Sequence, residues 1–213
     1  MRTLCFVLLL MPSLAAYSQS PGQTTQAPNY DSLRVVLETM LDKDQGIRRI
    51  LVDSIGIDSP DAGPYLKQMM DIDMENQRNM KIILGKYGWI GQSKIGKKAA
   101  EALFFVVQHS DVVLMEKWYP ELKRLADMGE ADKIRCAMME DRLLMWNGKK
   151  QIYGTQAAEF REDKKLAIWP IENPKTVNER RRKVGMDLTI EENAARMNAV
   201  YDEDEPLPIK RNQ

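Results

Sequence analysis

The sequence predicts a mostly α-helical protein, a helical bundle that carries a small two-stranded β-hairpin. Two observations predict this class. Apolar residues recur at the helical spacing of three or four positions through five segments between residues 31 and 146. After Gly148, two short segments rich in β-branched and aromatic residues replace that pattern before helical spacing returns. Nothing repeats at a fixed period, which excludes a repeat array.

The helices of the bundle are predicted from their apolar faces and from the glycines that end them. Gly88 ends the second helix and Gly129 separates the fourth from the fifth, as suits residues that follow a helix C-terminus. The second half of the third helix is apolar on all sides except at Glu101, which is typical of a central helix in a bundle. The predicted helices cover residues 31–54, 64–87, 94–108, 112–128 and 131–146.

The region after Gly148 is predicted to form the hairpin and two short helices. Its strands are expected at residues 151–156 and 165–169, on either side of a charged stretch. Pro170 and Pro174 bracket a turn. Helical patterns then resume at residues 176–183 and 189–200.

The first 18 residues have the order of a secretory signal peptide. A positive start is followed by an apolar run at residues 4–11 and by small residues at 13–18. Residues 1–18 are therefore expected to be removed on export to the periplasm or the extracellular space. The apolar run is too short to span a bilayer, and no later segment is longer, so we expect no stable membrane anchor.

The rest of the chain is predicted to be a flexible linker at residues 19–30, a single helical domain at 31–201 and a disordered tail at 202–213. The 31 basic and 31 acidic residues balance, which gives no basis for a nucleic-acid partner. Loss of the signal peptide leaves Cys136 as the single cysteine and excludes a disulfide framework. Because Cys136 lies among alanine and methionines in a helical segment, a buried thiol is favoured over a nucleophile.

Three carboxylates interrupt the predicted apolar faces. Asp44 and Asp73 each lie within about 20° of the centre of a helix face, and Asp141 continues the apolar line of the fifth helix. An unpaired buried carboxylate is costly, so each needs a partner or a wet cavity. The arginines available as partners are Arg48, Arg142, Arg180, Arg181 and Arg182. Two interpretations remain open, namely structural ion pairs between helices and one shared polar pocket.

The chain has one histidine, His109, at the end of the most apolar helix. It is a candidate general base, which Asp44 or Asp111 would orient. It is equally a candidate helix cap, because a cation is favoured at a helix C-terminus. A metal site is disfavoured, since one histidine is present without an organised second set of ligands.

The polar motifs of the chain resemble those of a bacterial family that is classified only as a domain of unknown function. The resemblance spans residues 41–186 and departs from the family pattern at Ile90, Asn173 and Met186, where proline, aspartate and leucine are usual. It implies no reaction, but its shared motifs are polar and several coincide with the interruptions described above. The matching motifs are Asp44-Gln45 with Arg48, Asp73 with Asn76, Gly88-Trp89, Gln108-His109-x-Asp111, Asp141-Arg142, Gln151-x-Tyr153-Gly154-Thr155-Gln156 and Arg180-Arg181-x-x-x-Gly185.

Taken together, the residues predict an exported protein with a polar pocket for a small polar ligand or substrate. His109, Asp111 and Asp44 are its candidate catalytic residues. One alternative is a small extracytoplasmic hydrolase or transferase that uses His109 as its base, and the other is a purely structural helical protein with internal salt bridges. The sequence identifies no cofactor. The candidate ligand-binding residues are Asp73, Asn76, Gln108, Asp141, Arg142, Gln151, Tyr153, Gln156 and Arg180.

Overall fold

The computed structural model describes residues 29–208 and confirms the mostly helical class with one small antiparallel sheet. The predicted signal peptide lies outside these residues, as do most of the linker and the last five residues. The strands are β1 (Ala157–Ala158) and β2 (Ala167–Ile168). The helices of the described part are α1 (Tyr30–Arg49), α2 (Ala62–Tyr87), α3 (Gln92–Ile95), α4 (Lys97–Gln108), α5 (Val112–Asp127), α6 (Lys133–Trp146), α7 (Val177–Lys183) and α8 (Ile190–Arg196).

Helix α4 is the centre of the bundle, as its apolar composition predicts. It packs against α1, α2, α3, α5 and α6. Its buried residues come from all sides of the helix, and Phe104 is among the largest fully buried side chains of the protein. Because its second half is buried on most sides, residues 102–107 carry no charge, whereas Lys97 and Lys98 at the start of the helix are exposed.

Two of the predicted helices differ in detail from the observed ones. The third is split into α3 and α4 at Gly96, whose φ of +80° a side-chain-bearing residue adopts only with strain. Helix α1 ends at Arg49, and the chain continues as a π-helical segment, Ile50–Ile55. That segment begins two residues after Arg48, so it adjoins the polar cluster described below.

The hairpin exists, but the prediction of its first strand was wrong. Residues 151–156 form a loop, and the pairing begins just after it, with Ala157 opposite Ile168 and Ala158 opposite Ala167. The loop is not a strand because several of its N–H groups donate to the carboxylate of Asp141 instead of to a neighbouring strand.

A second, smaller apolar cluster lies beneath this loop and joins the hairpin to α7 and α8. Gly154 packs directly against it, since a Cβ atom there would collide with the side chains of Ile190 and Ile171. Within the segment predicted to be a tail, Glu205 forms a 2.7 Å ion pair with Arg161. Over residues 29–208, no helix has both the length and the apolar composition required to cross a membrane.

Candidate functional site

A buried carboxylate and the histidine form the centre of the candidate site. Asp44 lies in the last turns of α1 and is 1% exposed, and His109 caps the C-terminus of α4 with 20% of its side chain exposed. Nδ1 of His109 lies 3.0 Å from Oδ1 of Asp44. An ionised carboxylate only accepts hydrogen bonds, so the histidine donates through Nδ1–H. Its Nε2 has no hydrogen-bond partner among residues 29–208 and keeps a free lone pair when the ring is neutral.

Arg48 extends this pair to a third helix. Its Nη1 donates to Oδ1 of Asp44 at 2.8 Å, and its Nη2 donates to both carboxylate oxygens of Asp73 on α2 at 2.8 and 2.9 Å. Gln45 donates to the remaining oxygen of Asp44 at 2.6 Å. The structure therefore brings Asp44, Asp73 and His109 together in one polar cluster, and Arg48 is the residue that connects them.

The environment of Asp44 keeps its carboxylate charged. Burial alone would raise the pKa of Asp44, but the hydrogen bond and charge of His109, the charge of Arg48 and the amide of Gln45 together lower it. A charged Asp44 holds the imidazole in one orientation and stabilises the imidazolium that forms when Nε2 accepts a proton. The arrangement is therefore suited to proton transfer at Nε2.

Asp111, the other residue expected to orient His109, has different partners. It is the N-cap of α5, where its Oδ1 accepts from the N–H of Leu114, and its Oδ2 accepts from Gln77 and Lys81 of α2. These contacts lower the pKa of Asp111, with the Leu114 N–H contributing most. Its carboxylate fixes the start of α5 directly after the histidine instead of contacting the ring.

Two further predicted residues lie close to this cluster along their helices. Asn76, which is buried, donates from Nδ2 to the carbonyl of Met40 and so ties α2 to α1. Gln108 precedes the histidine, is 4% exposed, and its Oε1 accepts no hydrogen bond within the described part of the chain. Arg142 on α6 is partly buried, and its Nε also lacks a partner there.

Asp141 belongs to a second, separate network that shapes the loop at residues 151–156. Its carboxylate, which is fully buried, accepts from the N–H groups of Ile152, Tyr153 and Thr155 and from the Thr155 hydroxyl, at 2.7 to 3.2 Å. Burial raises the pKa of Asp141, and these hydrogen bonds oppose the rise. Because both oxygens face only donors, the ionised form fits the site, and the carboxylate serves as a structural clamp.

Gln151 and Gln156 complete the clamp from within the loop. Gln151 is fully buried, donates to the carbonyls of Gln156 and Trp169 and accepts from the Gln156 N–H. Gln156 donates to the carbonyl of Met138 and to the Thr155 hydroxyl. Both amides are thus occupied within the protein.

Arg180 and Arg181, two of the arginines expected near the carboxylates, bind main-chain carbonyls instead. Arg180 donates to the carbonyls of Ile152, Glu172 and Asn173. Tyr153, whose pKa burial raises to about 12, contributes its N–H and carbonyl to this network, and its side chain lines a cavity of about 210 Å³ beside Cys136.

Arg48, Arg181 and Asn193 belong to these networks but were not predicted as site residues, although Arg48 and Arg181 were named as possible partners of the carboxylates. Arg48 connects Asp44 to Asp73, and its position one turn after Asp44 was the available signal. Arg181, which is buried, donates to the carbonyls of Leu188 and Tyr153. Asn193 donates to the carbonyl of Gly154. No sequence pattern indicated Asn193, because nothing local distinguishes an asparagine on the buried face of α8 from one on its exposed face.

Five cavities of the described chain lie away from the Asp44–His109 cluster. The most enclosed of five, about 330 Å³, is bounded by Trp89, Glu101, Phe104 and Arg135 between α3, α4 and α6. None of these five cavities is lined by Asp44, Asp73 or His109. Across residues 29–208, no group of three or more His, Cys, Asp or Glu side chains is arranged to hold a metal ion. The candidate site is therefore a polar cluster outside these five cavities.

Comparison with known proteins identifies the chain by family alone. A family model described as "Family of unknown function (DUF6624)" matches residues 31–203, which is nearly all of the described chain. The resemblance to a family of unknown function is thus confirmed and extends at both ends beyond residues 41–186. No curated protein and no solved structure matches the chain.

Proposed function

The chain belongs to DUF6624, a family of unknown function, and on that premise we propose that it is an exported protein with a polar site for a small ligand or substrate, centred on Asp44 and His109. The observation that carries the proposal is the hydrogen bond from Nδ1 of His109 to the buried carboxylate of Asp44, which leaves Nε2 uncommitted. A histidine that only capped α4 would need no buried carboxylate behind its ring.

The cluster favours this interpretation over a purely structural one for an energetic reason. Burying Asp44 is costly, and replacing a buried ion pair by apolar residues is often neutral or stabilising. The Asp141 network, by contrast, is structural, because its carboxylate binds only loop N–H groups and the Thr155 hydroxyl, and none of these donors is a titratable base. The partly exposed ring of His109 distinguishes the first cluster from the second.

A second candidate function is a small hydrolase or transferase at the same site. It is favoured by the orientation of the ring, since a carboxylate behind Nδ1 is the arrangement that lets Nε2 act as a general base. Nε2 would take a proton from water or from a substrate hydroxyl, and Asp44 would stabilise the resulting imidazolium. Arg48 is already paired with Asp44 and Asp73, so its role would be to position the carboxylates.

Export is proposed from the order of charge, apolar run and small residues in the first 18 positions. The ligands to be tested first are therefore ones available outside the cytoplasm, such as sugars, amino acids and cell-wall fragments.

The tautomer of His109 tests the proposal directly. Because the sequence has a single histidine, tag-free protein gives one set of ring ¹H–¹⁵N correlations without assignment. We expect the neutral ring to carry its proton on Nδ1 in the wild type and on Nε2 in Asp44→Ala. A wild-type ring protonated on Nε2 would leave no base at that nitrogen, and the proposal would be abandoned.

Binding and turnover are tested with His109→Gln, which keeps one hydrogen bond. Thermal melts of both proteins are run with sugars, amino acids and cell-wall fragments, and hydrolysis is assayed with p-nitrophenyl acetate, phosphate and glycosides. A ligand shift or turnover seen in wild type and lost in His109→Gln, with similar unliganded melting temperatures, supports the site. A clear loss of stability with no shift in either protein supports the structural alternative.

A further inference from the structure

Arg142 lies on α6, and its guanidinium has no carboxylate partner in the described part of the chain. Its side chain is partly buried, its Nε has no hydrogen-bond partner, and no carboxylate within residues 29–208 pairs with it. Burial and the positive charge of Arg48 lower the pKa of Arg142. The free protein bears the cost of a buried guanidinium nitrogen without an acceptor, and a bound oxyanion would offset that cost.

The register of α4 and α6 places Arg142 beside the end of α4. Arg135 pairs with Glu101 at 3.6 Å, and its guanidinium lies over the rings of Phe104 and Phe105. The first turns of α4 and α6 border one cavity, and the charge of Arg48, which lies beside the end of α4, acts on Arg142, so the two helices run in roughly the same direction. Arg142 follows Arg135 by seven residues on α6, and Gln108 follows Glu101 by seven residues on α4. Seven residues are about two helical turns, so each residue lies on the same face of its helix as the one it follows. Arg142 and Gln108 therefore lie at about the same level along the bundle, and Gln108 adjoins His109 in the chain.

Gln108 supplies the second observation. It is 4% exposed, and its buried Oε1 accepts no hydrogen bond in the described chain. Arg142 and Gln108 thus present a donor and an acceptor that the protein does not use. A buried polar atom without a partner costs stability, so both atoms need a group from outside the chain.

We propose that Arg142 binds an oxyanion of the ligand, a carboxylate or a phosphate group, and that Gln108 accepts a hydrogen bond from an N–H or O–H beside that oxyanion. This inference rests on the proposed function, because it places the oxyanion next to His109. Arg48 does not serve this role, since both its terminal nitrogens already donate to Asp44 and Asp73. Guanidinium groups suit oxyanions because two N–H groups can match two oxygens.

The test follows the Cε1–H resonance of His109 while sodium phosphate, sodium lactate or neutral lactamide is added at constant ionic strength. In the wild type, phosphate or lactate should shift the resonance saturably, and lactamide should not. Arg142→Gln should weaken that binding about tenfold or more, as expected for loss of a charge-assisted hydrogen bond. Arg182→Gln, which removes an exposed arginine of α7 and changes the net charge equally, should alter binding less than about twofold.

Stability gives a readout that separates a ligand-binding arginine from a structural one. Without anion, Arg142→Gln should melt at the same temperature as the wild type or higher, because a buried nitrogen that lacks an acceptor has been removed. A lower melting temperature with unchanged anion binding would overturn the inference.

The donor beside the oxyanion is tested by comparing lactate with propionate, which lacks the hydroxyl. Lactate should bind more tightly to the wild type, and the difference should disappear in Gln108→Met. Equal binding of the two would overturn the role of Gln108.

The two proposals fail in different ways. If lactamide shifts His109 as strongly as lactate and Arg142→Gln has no effect, the site remains and the oxyanion assignment is wrong. An absence of any saturable shift by phosphate or lactate also overturns the assignment. A His109 ring protonated on Nε2 overturns the proposed function itself.

Discussion

Nδ1 of His109 lies 3.0 Å from Oδ1 of Asp44, although 65 positions of sequence separate the two residues. The contact joins the last turns of α1 to the end of α4. Arg48, which binds Asp44, also binds Asp73 and so links α2 to the same cluster. The relative placement of these three helices and the orientation of the ring are therefore set together. A change at Asp44 should accordingly affect stability and the histidine at the same time.

Asp44→Ala should destabilise the protein by about 3 kcal/mol, because His109 and Arg48 would lose the buried carboxylate that they share. Asp44→Leu combined with Arg48→Met should cost less, since no buried charge is left unpaired. Chemical denaturation measures both. Asp42→Ala is the control, because Asp42 forms an exposed ion pair with Lys98 and should have little effect. An unchanged melting temperature in Asp44→Ala would mean that Asp44 faces water in solution.

The contribution of Asp44 should depend on pH in one direction. Its pKa in the folded protein lies below the ordinary value of 3.8, so ionised Asp44 contributes its full stability above that value. The contribution is lost as the pH falls through the lower folded value, where Asp44 becomes protonated.

The measurement compares the free energies of unfolding of the wild type and Asp44→Asn from neutral pH down to about pH 2. The wild type should be the more stable at neutral pH, and the difference should shrink in acid. A constant difference across this range would contradict a lowered pKa.

Gly154→Ala should destabilise the protein by about 2 to 4 kcal/mol. The new methyl group would collide with Ile190 and Ile171, and the backbone φ of +69° is unfavourable for alanine. Gly85→Ala is the matched control, because Gly85 lies inside α2 with no atom within 4 Å of a new Cβ. It should stabilise the protein by about 0.5 to 1 kcal/mol. Equal effects of the two substitutions would show that the loop is not packed as described.

Cys136 should react slowly with thiol reagents in the native protein. Burial raises the pKa of its thiol to about 11, so little thiolate is present near neutral pH. The rate of reaction with a disulfide reagent is measured on Cys5→Ser protein, native and then unfolded in urea. A native rate as fast as the unfolded rate would indicate that the thiol is accessible and would contradict the interpretation of Cys136 as a buried, unreactive residue.

Protein recovered from an exporting bacterial host should begin between Ala16 and Gln19, as N-terminal sequencing would detect. Leu9→Arg, which places a charge in the apolar run, should abolish both export and processing. Soluble mature protein that retains Met1 would show that the segment is not a signal peptide.

Local sequence patterns predicted more of the fold than of the candidate site. The helical period identified the bundle, the central position of α4 and the inward placement of Asp44 and Asp141. It placed the first strand of the hairpin wrongly, because residues 151–156 have strand-like composition but donate their N–H groups to Asp141. The carboxylate of Asp141 competes with a neighbouring strand for these N–H groups. Because Asp141 lies more than ten positions away, the composition of the segment does not indicate this competition.

The sequence by itself determined that Asp44 and Asp141 face inward, because the period of a helix depends only on neighbours within one or two turns. The tertiary structure alone decided the partners. Asp44 and Asp141 have the same chemistry and similar burial, yet one meets His109 and Arg48 and the other meets four donors of a loop. The reason is physical: a carboxylate is satisfied by any well-placed donor, and which donor is within about 3 Å depends on how distant helices and loops pack together.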